Sequence, residues 1–366
     1  MGRVTASLDD LPLRDDLRGL TPYGAPQAPL PIALNVNENT HPVPEGVARD
    51  IVESLARAVL GVNRYPDREF VELREAVAGY LGHGLTADHV WAGNGSNEVI
   101  QHVFQAFGGP GRRVLGFPPT YSMYPIIAAG TGTEWVTGAR DERFRLSPET
   151  AVAAVERTDP DLVFLCAPNN PTGTPLPLET IEAVYAASRG IVFVDEAYAE
   201  FAPEGAPSAL SLLAGRERLV VSRTMSKAFA FAGVRVGYLA ADPAVTDALR
   251  LVRLPYHLSA LTQAAALAAL RHAPEMLAMV DDIRGQRDRL VTELTALGYD
   301  AHESGANFVL FEGVDDPGAT FRALRERDIL IRDVGLPGAL RVTAGTEEET
   351  TYFLDALAAL GPGGAH

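Results

Sequence analysis

Lys227 is the residue whose setting in this sequence most suggests chemistry. Lysine is scarce in the chain, and Lys227 follows an apolar run, Leu219-Val220-Val221, that predicts a buried strand. The hydroxyl residues Thr224 and Ser226 precede it, and Arg235 follows it. A loop lysine is most often a solvated surface residue. In an apolar setting, however, a lysine can form a Schiff base with an aldehyde cofactor.

Two further polar residues come just after predicted buried strands. They are Asn170 and Asp195, each preceded by a run of apolar residues. In a mainly parallel sheet, ligands bind beyond the carboxyl ends of the strands. We therefore expect Asn170, Asp195 and Lys227 to lie at one edge of a sheet, around one ligand.

An aldehyde–pyridine cofactor such as pyridoxal phosphate would need such a set of residues. Lys227 could supply the amine for the aldehyde. Asp195 could pair with the ring nitrogen, which would explain a carboxylate that is otherwise costly at the end of a buried strand. Asn170 and Tyr198 could reach the ring oxygen, and Tyr121, after a Pro-Pro turn, could stack on the ring. The candidates for the phosphate group are Gly95, Ser96, Thr224, Ser226 and Arg235.

The segment from Gly93 to Glu98 joins a short predicted strand to a predicted helix. Free backbone N–H groups and the helix dipole converge at such a helix start, which suits an anion. Gly93 and Gly95 begin a GxG pattern, but Glu98 stands where a dinucleotide-binding fingerprint has its third glycine. The segment is compatible with a phosphate site and disfavours a Rossmann-type cofactor site.

Strands and helices alternate over much of the sequence. Residues 45–258 predict a large domain, with a mainly parallel sheet buried between helices. The pattern then changes, and residues 259–366 predict a smaller α+β domain that includes one long helix at 274–297. Residues 1–44 predict an extended arm that joins this smaller domain. The sequence thus predicts an α/β fold with a second, smaller α+β domain.

Composition disfavours several classes of protein. A net charge of −16 argues against nucleic acid or an anionic membrane as a partner. No apolar stretch is long enough for a membrane span, and the acidic N-terminus predicts no signal peptide. The single cysteine, Cys166, predicts a buried core thiol and suits a reducing cytoplasm. The eight histidines lack metal-ligand spacing, so no metal site is predicted.

The Lys227 segment, Asn170-Pro171-Thr172-Gly173 and Asp195-Glu196-Ala197-Tyr198 together closely resemble the fold-type I aminotransferases. A narrower resemblance, to the histidinol-phosphate aminotransferase family, covers nearly the whole chain. Its motifs are Tyr23, Asn35-Val36-Asn37-Glu38-Asn39, Asn63-Arg64-Tyr65-Pro66, Gly93-Asn94-Gly95-Ser96-Asn97-Glu98 and Leu340-Arg341-Val342-Thr343-Ala344-Gly345-Thr346. In this context the expectation for Lys227 changes from a surface lysine to the Schiff-base lysine.

The resemblance implies an aminotransferase of histidine biosynthesis that acts by a ping-pong reaction through pyridoxamine phosphate. Lys227 would hold pyridoxal 5′-phosphate and move a proton between substrate Cα and cofactor C4′. Asp195 would make the ring an electron sink, assisted by Tyr198, and Arg235 would pair with the phosphate. Tyr65 would reach the cofactor phosphate of the neighbouring subunit, so a cytoplasmic homodimer is implied. The other implied cofactor contacts are Gly95, Ser96, Asn97, Tyr121, Asn170, Thr224 and Ser226.

The implied substrates are L-histidinol phosphate and 2-oxoglutarate, and the products are imidazole-acetol phosphate and L-glutamate. Arg341 would bind the carboxylate of glutamate or 2-oxoglutarate through a bidentate fork. Histidinol phosphate has no carboxylate, so the same region must also accept a phosphate-bearing arm. Tyr23 and Tyr256 are candidates for shaping that side, with Asn37 and Arg332 as further candidates.

Two positions depart from the family pattern. Thr40 stands where a proline is usual, which alters a turn. Asn97 stands where an aspartate is frequent, and its neutral amide can still donate or accept a hydrogen bond. The departure at Asn97 weakens the inference for that one contact.

Other activities stay open at this stage. Aromatic-amino-acid aminotransferases and decarboxylases of the same fold would share Lys227, Asp195 and Arg235. A transcription regulator with an aminotransferase-like domain would need a DNA-binding extension, and no such segment is predicted here. A serine–lysine hydrolase would need a serine where Thr224 stands.

Overall fold

The computed structural model describes residues 6–19, 22–24 and 28–361. The strands are β1 (Ile32–Ala33), β2 (Val90–Gly93), β3 (Arg113–Gly116), β4 (Glu134–Thr137), β5 (Leu162–Cys166), β6 (Ile191–Asp195), β7 (Leu219–Thr224), β8 (Gly237–Ala241), β9 (Asp300–Ala301), β10 (Phe308–Glu312), β11 (Ile329–Leu330) and β12 (Ala339–Thr343). The helices are α1 (Glu45–Val59), α2 (Val71–Leu81), α3 (Ser96–Phe107), α4 (Met123–Thr131), α5 (Pro148–Thr158), α6 (Leu178–Ala187), α7 (Pro243–Val252), α8 (Ala260–Arg271), α9 (Ala273–Leu277), α10 (Met279–Ala296), α11 (Pro317–Arg325) and α12 (Glu347–Leu360).

Seven strands form the main sheet, in the order β2-β8-β7-β6-β5-β3-β4. Strands β3 to β7 run parallel, and β8 is antiparallel to both of its neighbours. Every residue of β5 and β6 is buried, because helices cover both faces of the sheet. The predicted α/β class with a mainly parallel sheet is confirmed.

Aromatic side chains fill part of the core beside this sheet. The ring centroids of Phe104 on α3 and Phe164 on β5 lie 4.8 Å apart, and those of Phe164 and Phe193 on β6 lie 4.5 Å apart. Removing such a side chain from water stabilises the fold by roughly 1.5–3 kcal/mol. The core therefore fixes β5 and β6, the strands that end beside Asn170 and Asp195.

The predicted N-terminal arm pairs with the C-terminal part of the chain. Strand β1 pairs parallel with β11, where Ile32 faces Ile329. Strands β12, β10 and β9 form a separate antiparallel sheet, and Arg332 and Arg341 form an antiparallel bridge. The domain boundaries at residues 44 and 258 stay a prediction. No helix within the described ranges is long and apolar enough to cross a membrane.

Two predicted elements differ from the structure. The single helix expected at 274–297 is divided into α9 and α10 at Ala278. Ala278 keeps right-handed helical backbone angles, so the apolar periodicity continues through the division without marking it. Strand β7 extends beyond the predicted Leu219–Val221, because Ser222 and Thr224 continue the pairing with β8.

Candidate active site

A cavity of about 300 Å³ lies at the carboxyl ends of β5, β6 and β7. Most of the residues predicted for the site line it. They are Tyr23, Asn37, Ser96, Asn97, Tyr121, Asn170, Asp195, Tyr198, Thr224, Ser226, Lys227, Arg235, Arg332 and Arg341. The structure thus brings together residues from the arm, the main sheet and the C-terminal part of the chain.

Lys227, the only lysine in the sequence, points its amine into this cavity. Its Nζ donates a hydrogen bond to the backbone oxygen of Val36 at 2.9 Å. Desolvation lowers the pKa of Lys227 to about 8, and the positive charge of Arg341 acts in the same direction. A lowered pKa makes the neutral, nucleophilic amine available near neutral pH.

Asp195 is a buried carboxylate, 2% exposed, with neutral donors on both oxygens. Tyr124 donates its O–H to Oδ2 at 2.8 Å, and Ser222 donates its hydroxyl to Oδ1 at 3.2 Å. Burial raises the pKa of Asp195, while these two hydrogen bonds lower it. Within the described ranges no cationic side chain forms an ion pair with Asp195. The group therefore fits a cationic ligand atom in the cavity.

The hydroxyl of Tyr198 joins two parts of the site. Its oxygen accepts hydrogen bonds from Asn37 Nδ2 at 3.0 Å and from Asn170 Nδ2 at 3.2 Å. Asn170 Oδ1 in turn accepts from Arg341 Nη1 at 2.6 Å. Burial raises the pKa of Tyr198, which keeps the phenol protonated. Its own O–H is then available to an acceptor in the cavity.

Arg235 and the start of α3 form a pocket suited to an anion. Gly95, the residue before α3, has φ +81°, and a Cβ there would stand 2.3 Å from Arg235 Nη2. Arg235 Nη1 also donates to Ser226 Oγ at 3.3 Å. A guanidinium, a hydroxyl and a helix N-terminus therefore converge, as a phosphate group requires.

Two other cofactor-side residues are held by bonds within the protein. Thr224 Oγ1 donates to the Val236 carbonyl at 3.1 Å and accepts from Ser226 N at 3.1 Å. These bonds fix the loop that carries Lys227. Tyr121 donates its O–H to Asn97 Oδ1 at 3.0 Å, which fixes the ring in the cavity wall.

Two arginines face the substrate side of the cavity. Arg341 is 7% exposed and donates from Nη2 to the Asn35 carbonyl at 2.8 Å, while its buried Nε has no partner in the described structure. Burial lowers the pKa of Arg341 to about 10, so it stays charged near neutral pH. The Arg332 guanidinium lies nearer the rim, 5.9 Å from the ring centroid of the half-exposed Tyr23.

Three predicted site residues do not line this cavity. Gly95 packs against the Arg235 guanidinium, which lines the cavity, but Gly95 itself does not. Tyr65 and Tyr256 lie outside the cavity of their own chain, where their rings stack with centroids 4.4 Å apart. Tyr65 is 80% exposed. Tyr256 does not line the cavity of its own chain, and its part in shaping the substrate side stays a prediction.

Sequence reasoning missed three groups that contact the predicted residues. Tyr124 follows Tyr121 by about one helical turn, and Ser222 faces Asp195 in register across β6 and β7. Both placements could have suggested a role for their hydroxyls. Val36 contributes only a backbone carbonyl to Lys227, so its side chain gives no signal.

Three side chains with metal-ligating atoms come together at β9, just after it, and at the end of β10, and none of them lines the cavity. Asp300, His302 and Glu312 have ligand atoms within 4.8 Å of one another, a grouping that the spacing of the histidines in the sequence did not predict. Asp300 is paired with Arg143, and His302 Nε2 lies 2.6 Å from Glu312. Arg143 thus satisfies Asp300, and Glu312 and His302 satisfy each other, so the group does not indicate a metal site.

Comparison with known proteins adds an independent line of evidence. The family described as Aminotransferase class I and II matches residues 31–357. A histidinol-phosphate aminotransferase of Paenarthrobacter aurescens is 63% identical over 96% of this chain and 96% of its own length. That of Thermobifida fusca is 58% identical over 97% of each chain.

Solved structures show the same similarity. The histidinol-phosphate aminotransferase from Sinorhizobium meliloti, in complex with pyridoxal-5′-phosphate, superposes with a TM-score of 0.81 at 26% identity over 90% of each chain. An aspartate aminotransferase from Thermus thermophilus with maleate gives a TM-score of 0.77 at 26% identity, over 90% of this chain and 91% of the other.

Proposed function

Because this chain belongs to the class I and II aminotransferases, among the histidinol-phosphate aminotransferases, we propose that it transfers the amino group of L-histidinol phosphate to 2-oxoglutarate. The products are imidazole-acetol phosphate and L-glutamate, in a reaction of histidine biosynthesis. The cofactor is pyridoxal 5′-phosphate. When bound, it supplies an electron-withdrawing ring and a carbon that accepts the amino group.

The observation that carries this proposal is the pair of arginines on one cavity. Arg341 has an unpartnered buried Nε, which suits the carboxylate of glutamate or 2-oxoglutarate through a bidentate fork. In the other half-reaction the phosphate-bearing arm of histidinol phosphate takes the same region. Arg332 nearer the rim supplies a second positive charge there. Tyr23, beside Arg332, would border the phosphate-bearing arm of the substrate. Asn37 donates a hydrogen bond to the Tyr198 hydroxyl and so helps to position it.

The residues of the cavity fit the cofactor. The space beside Gly95 is filled by the Arg235 guanidinium, which would hold the phosphate together with Ser96 and Ser226. Asp195 would pair with the ring nitrogen, since no cation of the described chain pairs with it. Tyr121, Asn97, Asn170 and Thr224 complete the proposed cofactor contacts.

Lys227 would perform the proton transfer. Its Nζ would hold the cofactor covalently and, once released, would move a proton between substrate Cα and cofactor C4′. Proton transfer by a positioned side chain contributes roughly a hundredfold to ten-thousandfold to a rate. The Val36 carbonyl offers the released amine a hydrogen-bond acceptor. Tyr198 would donate its O–H to the ring oxygen of the cofactor.

A homodimer would complete the site. Tyr65 is exposed in one chain and would reach the cofactor phosphate in the partner, with Tyr256 stacked on it. Leu60, Leu251 and Leu254 are also exposed, by 87%, 86% and 75%, and exposed apolar side chains of this kind favour an interface. We place the enzyme in the cytoplasm, where a lone buried cysteine such as Cys166 stays reduced.

The substrate assignment is tested by comparing two amino donors on the purified holoenzyme. Glutamate formation from 2-oxoglutarate is measured with L-histidinol phosphate and with L-phenylalanine. We expect the larger kcat/KM for histidinol phosphate. A larger value for phenylalanine would indicate an aromatic-amino-acid aminotransferase. Release of carbon dioxide without consumption of 2-oxoglutarate would indicate a decarboxylase.

Arg332→Gln sharpens this experiment. A charge-assisted hydrogen bond contributes about 1.5–3 kcal/mol, so kcat/KM for histidinol phosphate should fall roughly tenfold or more. The value for phenylalanine, which has no phosphate, should change less. Arg325→Gln is the matched control, because Arg325 is exposed at the end of α11 and does not line the cavity. Equal losses for both donors would remove Arg332 from phosphate binding.

A further inference from the structure

Two hydroxyl groups that hold Asp195 have no part in the roles described so far. Tyr124 is fully buried at the start of α4, and its O–H donates to Asp195 Oδ2 at 2.8 Å. Ser222 lies opposite Asp195 in the register of β6 and β7, and its hydroxyl donates to Oδ1 at 3.2 Å. Each carboxylate oxygen therefore has a donor from a different element of the fold.

The position of the Tyr124 hydroxyl is fixed by the packing of its ring. The ring centroid lies 5.1 Å from that of Phe164 on β5 and 5.4 Å from that of Tyr121. A side chain held on two sides loses little further freedom when it makes a hydrogen bond. Tyr124 is thus oriented toward Asp195 before any ligand binds.

The other ionisable groups around Asp195 do not neutralise its charge. Burial raises the pKa of the Cys166 thiol to about 12 and also raises the pKa of Tyr121, so both groups stay neutral near pH 7. Glu196 is paired with Arg223 at 2.9 Å. Arg140, close to Cys166 and Tyr124, directs its guanidinium donors elsewhere. Their acceptors are the carbonyls of Phe117 and Phe144 and the side-chain oxygen of Asn169.

We propose that Tyr124 and Ser222 are positioning residues that keep Asp195 ionised and aimed at the ring nitrogen of the cofactor. The inference rests on the role assigned to Asp195 under the proposed function. A buried carboxylate that accepts hydrogen bonds is stabilised in its charged form, and one that loses them is favoured to take up a proton. Without the Tyr124 donor, Asp195 would compete for the proton of the ring nitrogen, and the ring would withdraw electrons less strongly.

Tyr124→Phe tests this role, because it removes one oxygen atom and keeps the packed ring. The holoenzyme is prepared with pyridoxal phosphate labelled with ¹⁵N in the ring, whose NMR shift reports protonation of that nitrogen. We expect the shift to move toward the unprotonated form. We also expect kcat to fall by roughly tenfold or more, while KM for histidinol phosphate changes little. Ser222→Ala should act in the same direction and more weakly, because its hydrogen bond is longer.

Tyr238→Phe is the matched control. Tyr238 is also fully buried in the main sheet, but its hydroxyl has no partner among the described residues and does not contact Asp195. This variant should leave both the nitrogen shift and kcat unchanged. Thermal unfolding of the Tyr124→Phe and Tyr238→Phe holoenzymes measures any general loss of stability. If Tyr124 had only a structural role, Tyr124→Phe would lower the stability and leave the nitrogen shift unchanged.

Asp195→Asn separates this inference from the proposed function. If it moves the nitrogen shift and Tyr124→Phe does not, Asp195 keeps its role and the inference about Tyr124 is wrong. If neither variant moves the shift, Asp195 is not the partner of the ring nitrogen, and both the inference and that part of the proposed function are overturned.

Discussion

The amine of Lys227 is surrounded by groups that act on its charge in opposite directions. Desolvation and the positive charge of Arg341 lower its pKa, and the negative charge of Glu38 raises it. At the resulting pKa of about 8, half of the amines are neutral at pH 8. An ordinary lysine would have roughly one neutral amine in three hundred at that pH. The site thus prepares a nucleophile before the cofactor arrives.

This pKa can be measured in the cofactor-free enzyme with limiting acetic anhydride. Acetylation of the Lys227 peptide, followed by mass spectrometry, should rise with pH around a midpoint near 8, because only the neutral amine reacts. Arg341→Gln removes a nearby positive charge and should raise the midpoint. Arg325→Gln should leave it unchanged. A midpoint at the ordinary lysine value of 10.5 would contradict the described environment.

Much of the site could be predicted from residue types and from their positions at strand ends. Contacts between residues distant in the sequence could not be predicted. Asp195 stands out because a carboxylate at the end of a buried strand needs a partner. Its bond to Tyr124 spans 71 positions, so no local pattern reveals it. The Val36 carbonyl belongs to the backbone, so the residue type at this position does not predict its contact with Lys227. Stacking of Tyr65 on Tyr256 depends on surface packing, which periodicity does not describe.

At the scale of elements, the start of α3 and the loop after β7 are fitted to each other. Gly95 has a backbone angle that favours glycine, and the space that a Cβ would occupy is taken by the Arg235 guanidinium. Gly237 at the start of β8 is equally close, since a Cβ there would stand 2.2 Å from Ser96 N. These two contacts hold the proposed phosphate pocket in shape.

Gly95→Ala tests that fit, and Gly111→Ala is its control. Both glycines have positive φ, +81° and +79°, but a Cβ at Gly111 would meet nothing within 4 Å. Each variant should lose unfolding free energy through backbone strain, on the order of 1–3 kcal/mol. Gly95→Ala should lose the more, because ψ of 167° places Gly95 in a region that is almost restricted to glycine and its Cβ would meet Arg235. Only Gly95→Ala should also displace Arg235 and raise the dissociation constant of pyridoxal phosphate, by roughly tenfold or more.

Spectrophotometric titration of the cofactor-free variants measures this difference. Equal affinities for the cofactor in the two variants would show that Arg235 does not depend on the space beside Gly95.

Among the elements, β5 and β6 were the most predictable, because an unbroken apolar run requires burial on both faces. The end of β7 was less so, since Ser222 and Thr224 are polar residues in a buried ladder. Their hydroxyls are satisfied by Asp195 and the Val236 carbonyl, and such partners appear only after folding. The division between α9 and α10 could not be predicted either, because the apolar periodicity continues through Ala278.

At the scale of the whole molecule, the site depends on contacts between the N-terminal arm and the C-terminal part of the chain. The backbone N–H of Asn37 donates to Thr343 Oγ1 at 3.1 Å, across 306 positions. Asn37 has φ +57°, in the left-handed region that few residues other than glycine and asparagine adopt, and Asn307 Nδ2 donates to its carbonyl at 3.2 Å. The substrate side is therefore assembled only when the arm and the C-terminal part of the chain have packed together.

The proposed dimer predicts complementation between two inactive variants. Lys227→Ala lacks the amine, and Tyr65→Ala lacks the group proposed to enter the partner's cavity. After unfolding and refolding an equal mixture, random pairing would restore about one quarter of the sites, because half of the dimers are mixed and each has one complete site. Histidinol phosphate turnover measures the recovery.

Arg341→Gln paired with Lys227→Ala is the control for this experiment. Arg341 lines the cavity of its own chain, so this mixture should recover no activity. The absence of recovery with Tyr65→Ala, in a mixture shown to form mixed dimers, would mean that Tyr65 does not act across subunits.

The use of a single lysine has a consequence for regulation. Enzymes that acetylate or ubiquitinate proteins act mostly on the side-chain amines of lysine, and this chain offers one such amine, at the cavity. The other residues of the Lys and Arg group are all arginines, whose guanidinium groups stay protonated and do not undergo these two modifications. Any modification of a lysine side chain would therefore be a modification of Lys227. Acetylation or ubiquitination of a lysine side chain in this protein would therefore stop turnover directly, because it would remove the amine at the cavity.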